Sequence, residues 1–130
     1  MSVNPIIVPL LTVAKKLNNY KANATAGGLW TDTTHFRVTV PTDKRWFLLG
    51  GHVKRDIAAT INTEVYDSSD QKIGKLMDDA SGTGLVTFPE ADYFIGTPWI
   101  LDAGEYIESV FSVAQGTSAT HSCVVLEVNV

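Results

Sequence analysis

The chain has three histidines, fourteen acidic residues and one cysteine with which to do acid–base, nucleophilic or metal chemistry. His35, His52 and His121 are scattered in sequence. His35 and His52 can meet if their strands pair, but no cysteine or carboxylate stands at the spacing that would complete a zinc site, and all three read as strand-surface histidines. Asp102, Glu105 and Glu108 are the best carboxylates for a glycosidase-type acid and nucleophile. Three residues apart on a strand, Glu105 and Glu108 point to opposite faces, and Asp102 belongs to the turn before them. Asp67, Asp70, Asp78 and Asp79 offer loop oxygens of the kind calcium takes, without the dense aspartate repeat of a calcium loop. There is no serine-centred elbow, phosphate-cradling loop or dinucleotide fingerprint. The expectation is a protein that is not an enzyme, with no catalytic residue, no cofactor and no metal.

Binding is the chemistry left. Trp30, Trp46 and Trp99, with Tyr20, Tyr66, Tyr93 and Tyr106, can stack on a sugar or anchor a protein interface; Trp30 and Trp99 lie beside loops and are the candidates for exposed contacts. A net charge of -4 and a pI near 5.2 argue against gripping nucleic acid. Lys44, Arg45, Lys54 and Arg55 make a local basic cluster, but Asp43 and Asp56 stand beside them and the group reads as solvated strand ends. Cys123, the single cysteine, has no partner for a disulfide within the chain and reads as a small buried or half-buried strand residue.

The elements that position these residues are strands. Pro41–Lys44 is a turn that leads into Trp46–Val53, a central strand whose continuous apolar run Trp46–Leu49 suits cover on both faces. In a helix Gly50 and Gly51 would each cost about 1 kcal/mol; in a strand the pair predicts a bulge or the close approach of another backbone. Thr34–Val40 and Ile61–Tyr66 alternate apolar and polar, as half-buried strands do. Asp67–Gln71 is a hairpin loop, Lys72–Met77 its return strand, Asp78–Gly84 a loop, and Leu85–Phe88 a short strand closed by Pro89. Glu90–Pro98 reads as a covering loop anchored by Tyr93, Phe94 and Trp99. Trp99–Ile107 is strand, tight turn, strand, followed by Tyr106–Ala114 with Ile107, Phe111 and Val113 on one face. In the last strand, Ser122–Val130, the apolar set is Val124, Leu126, Val128 and Val130. About eight strands and no helix of ordinary length predict an all-β fold: an antiparallel two-sheet β-sandwich of jelly-roll or Greek-key type over residues 29–130.

Residues 1–28 differ and read as an extended N-terminal arm and linker. The prolines of Pro5, Ile6, Ile7, Val8, Pro9, Leu10 and Leu11 hold that stretch extended and deny it backbone donors, so it is a candidate partner-binding segment, together with Trp30 and Trp99. Lys15–Ala26 is polar and small, either one short amphipathic turn or a tether. The N-terminal apolar stretch lacks a basic lead and is broken by proline, so neither an export signal nor a membrane anchor is read.

Two stretches, Val40-Pro-Thr-Asp-Lys-Arg-Trp-Phe-Leu-Leu-Gly-Gly51 and Trp99-Ile-Leu-Asp-Ala-Gly-Glu-Tyr-Ile107, resemble small β-sandwich proteins encoded among the structural genes of tailed bacteriophages. There a P-x-x-K-R-W lead-in to a strand and an L-x-A-G-[DE]-x-I turn recur. The resemblance implies a virion component made in the host cytoplasm, foremost a capsid decoration (cement) protein. Such a protein sits on the outside of the shell as an oligomer, often a trimer, with the major capsid protein and itself as partners. The other expectation is a receptor- or carbohydrate-binding module of a tail fibre or tail tip. Neither implies a nucleic-acid or membrane partner.

Overall fold

The computed structural model of the chain describes residues 16–23, 30–32 and 34–130. They form eight strands: β1 (Lys16–Asn23), β2 (Trp30–Asp32), β3 (His35–Thr39), β4 (Lys44–Tyr66), β5 (Lys72–Phe88), β6 (Trp99–Asp102), β7 (Tyr106–Phe111) and β8 (Thr120–Asn129). The only helical piece among them is a 3₁₀ turn at Ala91–Tyr93. Every strand pairing is antiparallel, and the fold is all-β.

β4 is the spine. Along one edge it pairs first with β6, at Arg45–Leu48, and then with β5, at Gly51–Tyr66; along the other it pairs with β8, at Lys44–Lys54, and then with β7, at Ile61–Tyr66. β1 extends the sheet beyond β8, and β3 and β2 extend it beyond β7. Thus the stretch Lys16–Asn23, within the residues read as a turn or tether, is hydrogen-bonded along β8.

Two expected strands, Trp46–Val53 and Ile61–Tyr66, are therefore one 23-residue strand. The charges at Lys54–Asp56 suggested an end, but Arg55 is buried inside the sheet. Its Nη2 lies 2.9 Å from Asp79 and its Nη1 donates to Ala59 O at 2.7 Å. A buried guanidinium is tolerated when its donors find such partners. Asp78–Gly84, expected as a loop, is likewise part of β5. Register shifts between Arg55 and Ala59, and again before Ile61, absorb its small residues as bulges.

The Gly50–Gly51 pair behaves as its sequence suggests. The register against β8 slips between Leu48 and Gly50, and Gly50 adopts φ +147°. A Cβ on Gly51 would collide with Ser122 O and the Phe88 ring.

One core collects Phe36 and Val38 from β3, Trp46, Leu48 and Ile61 from β4, Leu76 and Met77 from β5, Leu101, Ile107, and Cys123 and Val125 from β8. The inward face of β8 is the opposite of the one its valines suggested: His121, Cys123, Val125 and Glu127 are buried, while Val124 and Leu126 are half-exposed. Glu127 can face inward because its carboxylate accepts the Trp46 indole N–H at 2.9 Å. Val113 lies past the end of β7 and is exposed.

Candidate functional site

His35 and His52 stand half-buried on their strands, and of the three histidines His121 departs from the strand-surface reading. β3 pairs with β2 and β7, so strand pairing does not join His35 to His52. His121 is not on a surface; it is fully buried, stacked on Phe36 and tilted against Phe88. Its Nε2 lies 2.6 Å from Ser109 Oγ, itself 2.6 Å from Thr63 Oγ1. By residue type this is a nucleophile and a base in contact. Its environment forbids the chemistry, because Ser109 and Thr63 are also buried and no substrate can reach them. Burial, and secondarily His52, pushes His121 down to about 3, far from the range of a general base working near neutrality. The group is a polar clasp inside the core. Only the inward register of β7 and β8 reveals it, since Ser109 and His121 stand in apparently ordinary strands. Cys123 is equally inert: burial pushes its thiol up to about 12.

The carboxylates are spent on structure. Glu105 accepts the Asp102 backbone N–H at 2.6 Å, Asp102 pairs with Arg45 at 2.7 Å and Glu108 with Arg37 at 2.8 Å. Asp67 accepts the N–H groups of Ser69 and Gln71 within its own turn, and Asp70 accepts from the Tyr106 hydroxyl. Asp78 pairs with Lys75 and Asp79 with Arg55. Among the described residues no three His, Cys, Asp or Glu side chains are grouped to hold a metal ion. A second feature invisible in sequence lies on β3, β4 and β7. Tyr66 and Tyr106 stack at 5.0 Å, and Arg37 sits 4.2 Å from the centre of the Tyr106 ring. Burial and the Asp70 hydrogen bond raise the Tyr106 hydroxyl to about 12.

What the described surface offers instead is an apolar cleft. β5 and β6 follow one another on the same edge of β4, with Phe88 opposite Gly51 and Trp99 opposite Leu48. The chain between them must bulge away at this gap. It encloses a cavity of about 230 Å³ between Leu48 and Leu49, Leu76, Pro89, Trp99 and the loop stretch 94–98. No charged side chain lines it. Trp99 forms one wall, half-buried and packed on the core, with its ring over Gly74, where a Cβ would strike it. Its Nε1 is buried without a hydrogen-bond partner among the described residues.

The rim is apolar and open. Phe94 is 65% exposed, Ile95 55% and Leu49 46%, and next to them Ile100 is 57% exposed. Ile100 stands opposite Phe47, and Phe47 opposite Leu126, so an apolar band crosses the outward side of β6, β4 and β8. Phe94 is thus no anchor of the covering loop. Tyr93 is half-buried, with Lys75 Nζ 5.7 Å from its ring. Of the partner-binding candidates read from the sequence, Trp99 is at this cleft. Trp30 lies in β2, on a sheet edge away from β6, and Pro5, Ile6, Ile7, Val8, Pro9, Leu10 and Leu11 lie outside the described residues. The arrangement can hold apolar groups.

No family model matches the chain, and no curated protein matches it. Among solved structures, the crystal structure of FlgD from P. aeruginosa is similar over 81% of this chain and 79% of that one, at 19% identity and a TM-score of 0.34. A superposition that loose carries no argument about what this chain does.

Proposed function

We propose that the chain is a virion structural protein: a capsid decoration protein that binds the outside of the shell as a homo-oligomer, a trimer in the first instance. On this reading its strands make a two-layer sandwich of jelly-roll or Greek-key type, preceded by an extended arm in residues 1–28. The carrying observation is the open apolar surface around Phe94, Ile95, Leu49 and Ile100, where single exposed hydrophobics would be ordinary but a contiguous group marks an interface. The uncharged lining of the cleft beside that surface is compatible with a purely adhesive role. The two stretches that carry the resemblance to phage proteins are also neighbours in space, since Arg45–Leu48 pairs with Trp99–Asp102. Many such modest contacts repeated around an oligomer add up to firm attachment.

Cosedimentation with purified capsids, together with the mass in solution, tests the reading. Binding by an oligomer that is weakened by Ile100→Asp supports it. A chain that ignores capsids but binds glycans through Phe94 would replace it with a receptor-binding module.

A further inference from the structure

We propose that Glu90 is a plug on the outer edge of β5: it takes the backbone groups that a further strand would bond, and so keeps β5 from pairing with β5 of a second copy of this chain. The proposal goes beyond the function proposed above and does not rest on it.

Among the described residues β5 pairs with β4 alone, so its other edge faces away from the sheet. A free strand edge presents a row of N–H and C=O groups and is a template for another chain unless something blunts it. Around Met77, which stands opposite Thr63 of β4, the outward groups are the Leu76 C=O and the Asp78 N–H. One residue takes both: Glu90 N–H donates to Leu76 O at 2.9 Å, and Asp78 N–H donates to Glu90 Oε1 at 2.6 Å. Glu90 is extended, at φ −69° and ψ 157°, just before the 3₁₀ turn Ala91–Tyr93. Its N–H and its carboxylate thus imitate the donor and the acceptor of a neighbouring strand one residue long. The turn holds it there, since Tyr93 N–H donates to Glu90 O at 2.9 Å and the Tyr93 ring lies 5.7 Å from Lys75 Nζ on β5.

The same two groups select a second copy as the strand kept out. In an antiparallel pair, the residues on either side of a non-hydrogen-bonded position carry the bonds across. When two β5 strands meet about a two-fold axis at Met77, each Asp78 N–H reaches Leu76 O of the other copy. One donor and one acceptor per chain then satisfy each other, as a self-complementary contact requires. That register also sets Lys75 against Asp79 of the other copy, unlike charges across the pair. Glu90 occupies the position that this pairing needs.

Three substitutions in the full chain grade the plug. Glu90→Gln keeps both bonds, because the amide oxygen accepts as the carboxylate does. Glu90→Ala removes the side-chain bond. Glu90→Pro removes both, and the φ that proline imposes, about −65°, fits the −69° of this position. Asp92→Ala, at an exposed position in the following turn, is the control.

Sedimentation over a concentration series is expected to give Glu90→Gln and Asp92→Ala the mass of the unmodified chain. Glu90→Ala and Glu90→Pro should rise with concentration to at least twice that mass, Glu90→Pro at the lower concentration. A folded Glu90→Pro that keeps the unmodified mass throughout, or an equal rise in Asp92→Ala, overturns the proposal. If neither Glu90→Ala nor Glu90→Pro folds, hydrogen exchange of the unmodified chain decides: slow exchange at the Asp78 amide that dilution leaves unchanged supports the plug, and exchange there as fast as at an unbonded amide overturns it.

Discussion

The imidazole of His121 lies 3.8 Å from the ring of Phe36 and within 11° of parallel to it. β8 and β3 are not hydrogen-bonded neighbours, so this stack ties two distant parts of the sheet into one core. The contact suits a neutral ring. A proton on His121 would place a cation in a site with no carboxylate partner described, beside an already desolvated hydroxyl pair.

That sets a pH dependence. His121 titrates near 6.5 when unfolded and at about 3 when folded, so below 6.5 the unfolded state binds the extra proton. Its contribution to stability is complete above about 6.5 and is lost as the pH falls towards 3, at about 1.4 kcal/mol per unit. Urea unfolding should show the chain less stable at pH 5 than at pH 7 by about 2 kcal/mol from this residue. His121→Leu should flatten that slope even if it lowers stability at neutral pH; an unchanged slope would refute the assignment.

The stack also shows what was legible in the sequence. Strand identity was readable wherever apolar and polar residues alternate, as in Phe36-Arg-Val38, and where turn residues punctuate, as in Asp67–Gln71. Facing was not readable in β8, where Val124 and Leu126 look like core and Cys123 and Val125 are core, because polar Glu127 and His121 share the inward side through hydrogen bonds made by Trp46 and Ser109. Continuity failed at Arg55 for the same reason: a charge reads as an end unless its partner, 24 residues away at Asp79, is known. The cleft was half legible. Trp99 stood out by its place beside a loop, whereas Leu49, Phe94 and Ile95 join it only because β5 and β6 abut on one edge of β4.

The Arg55–Asp79 pair should matter far more than a pair of similar geometry at the surface. Arg55 is 4% exposed and Asp79 30%, whereas Arg45 and Asp102 are 42% and 59% exposed. Asp79→Asn leaves a buried guanidinium without its counter-charge and should cost about 2–3 kcal/mol, somewhat below the cost for a fully buried pair because Asp79 keeps some solvent. Asp102→Asn should cost under about 1 kcal/mol. Parallel urea titrations of the two variants check the ordering.

Asp56 should pin the turn before β8. Its carboxylate accepts the Gly116 and Ser118 N–H groups at 2.8 and 3.1 Å and the Ser118 hydroxyl at 3.1 Å. Burial raises its pKa, but these donors together outweigh that and hold it below the usual 3.8. The stabilisation is therefore present above the unfolded value and fades as the pH drops through the lower folded one. Asp56→Ala should cost about 1 kcal/mol and speed amide exchange at Gly116 and Ser118, leaving Gln115 to hold Ile57 through its own side chain. Unaltered exchange at those two amides would show that the turn stands without Asp56.

Two glycines separate crowding from backbone strain. At Gly51 a methyl group would meet Ser122 O and the Phe88 ring, one of them backbone and neither able to move without parting β4 from β8 or β5. At Gly84 nothing lies within 4 Å, and only its φ of +91° opposes a side chain. Gly84→Ala should therefore cost about 1–2 kcal/mol, the price of an L-residue in a left-handed conformation. Gly51→Ala should cost more than about 3 kcal/mol or prevent folding, because the bulge at Leu48–Gly50 exists to bring these backbones together. Thermal melts of both variants decide it: if Gly51→Ala melts no lower than Gly84→Ala, the close approach of β4 to β8 is not what the glycine is there to allow.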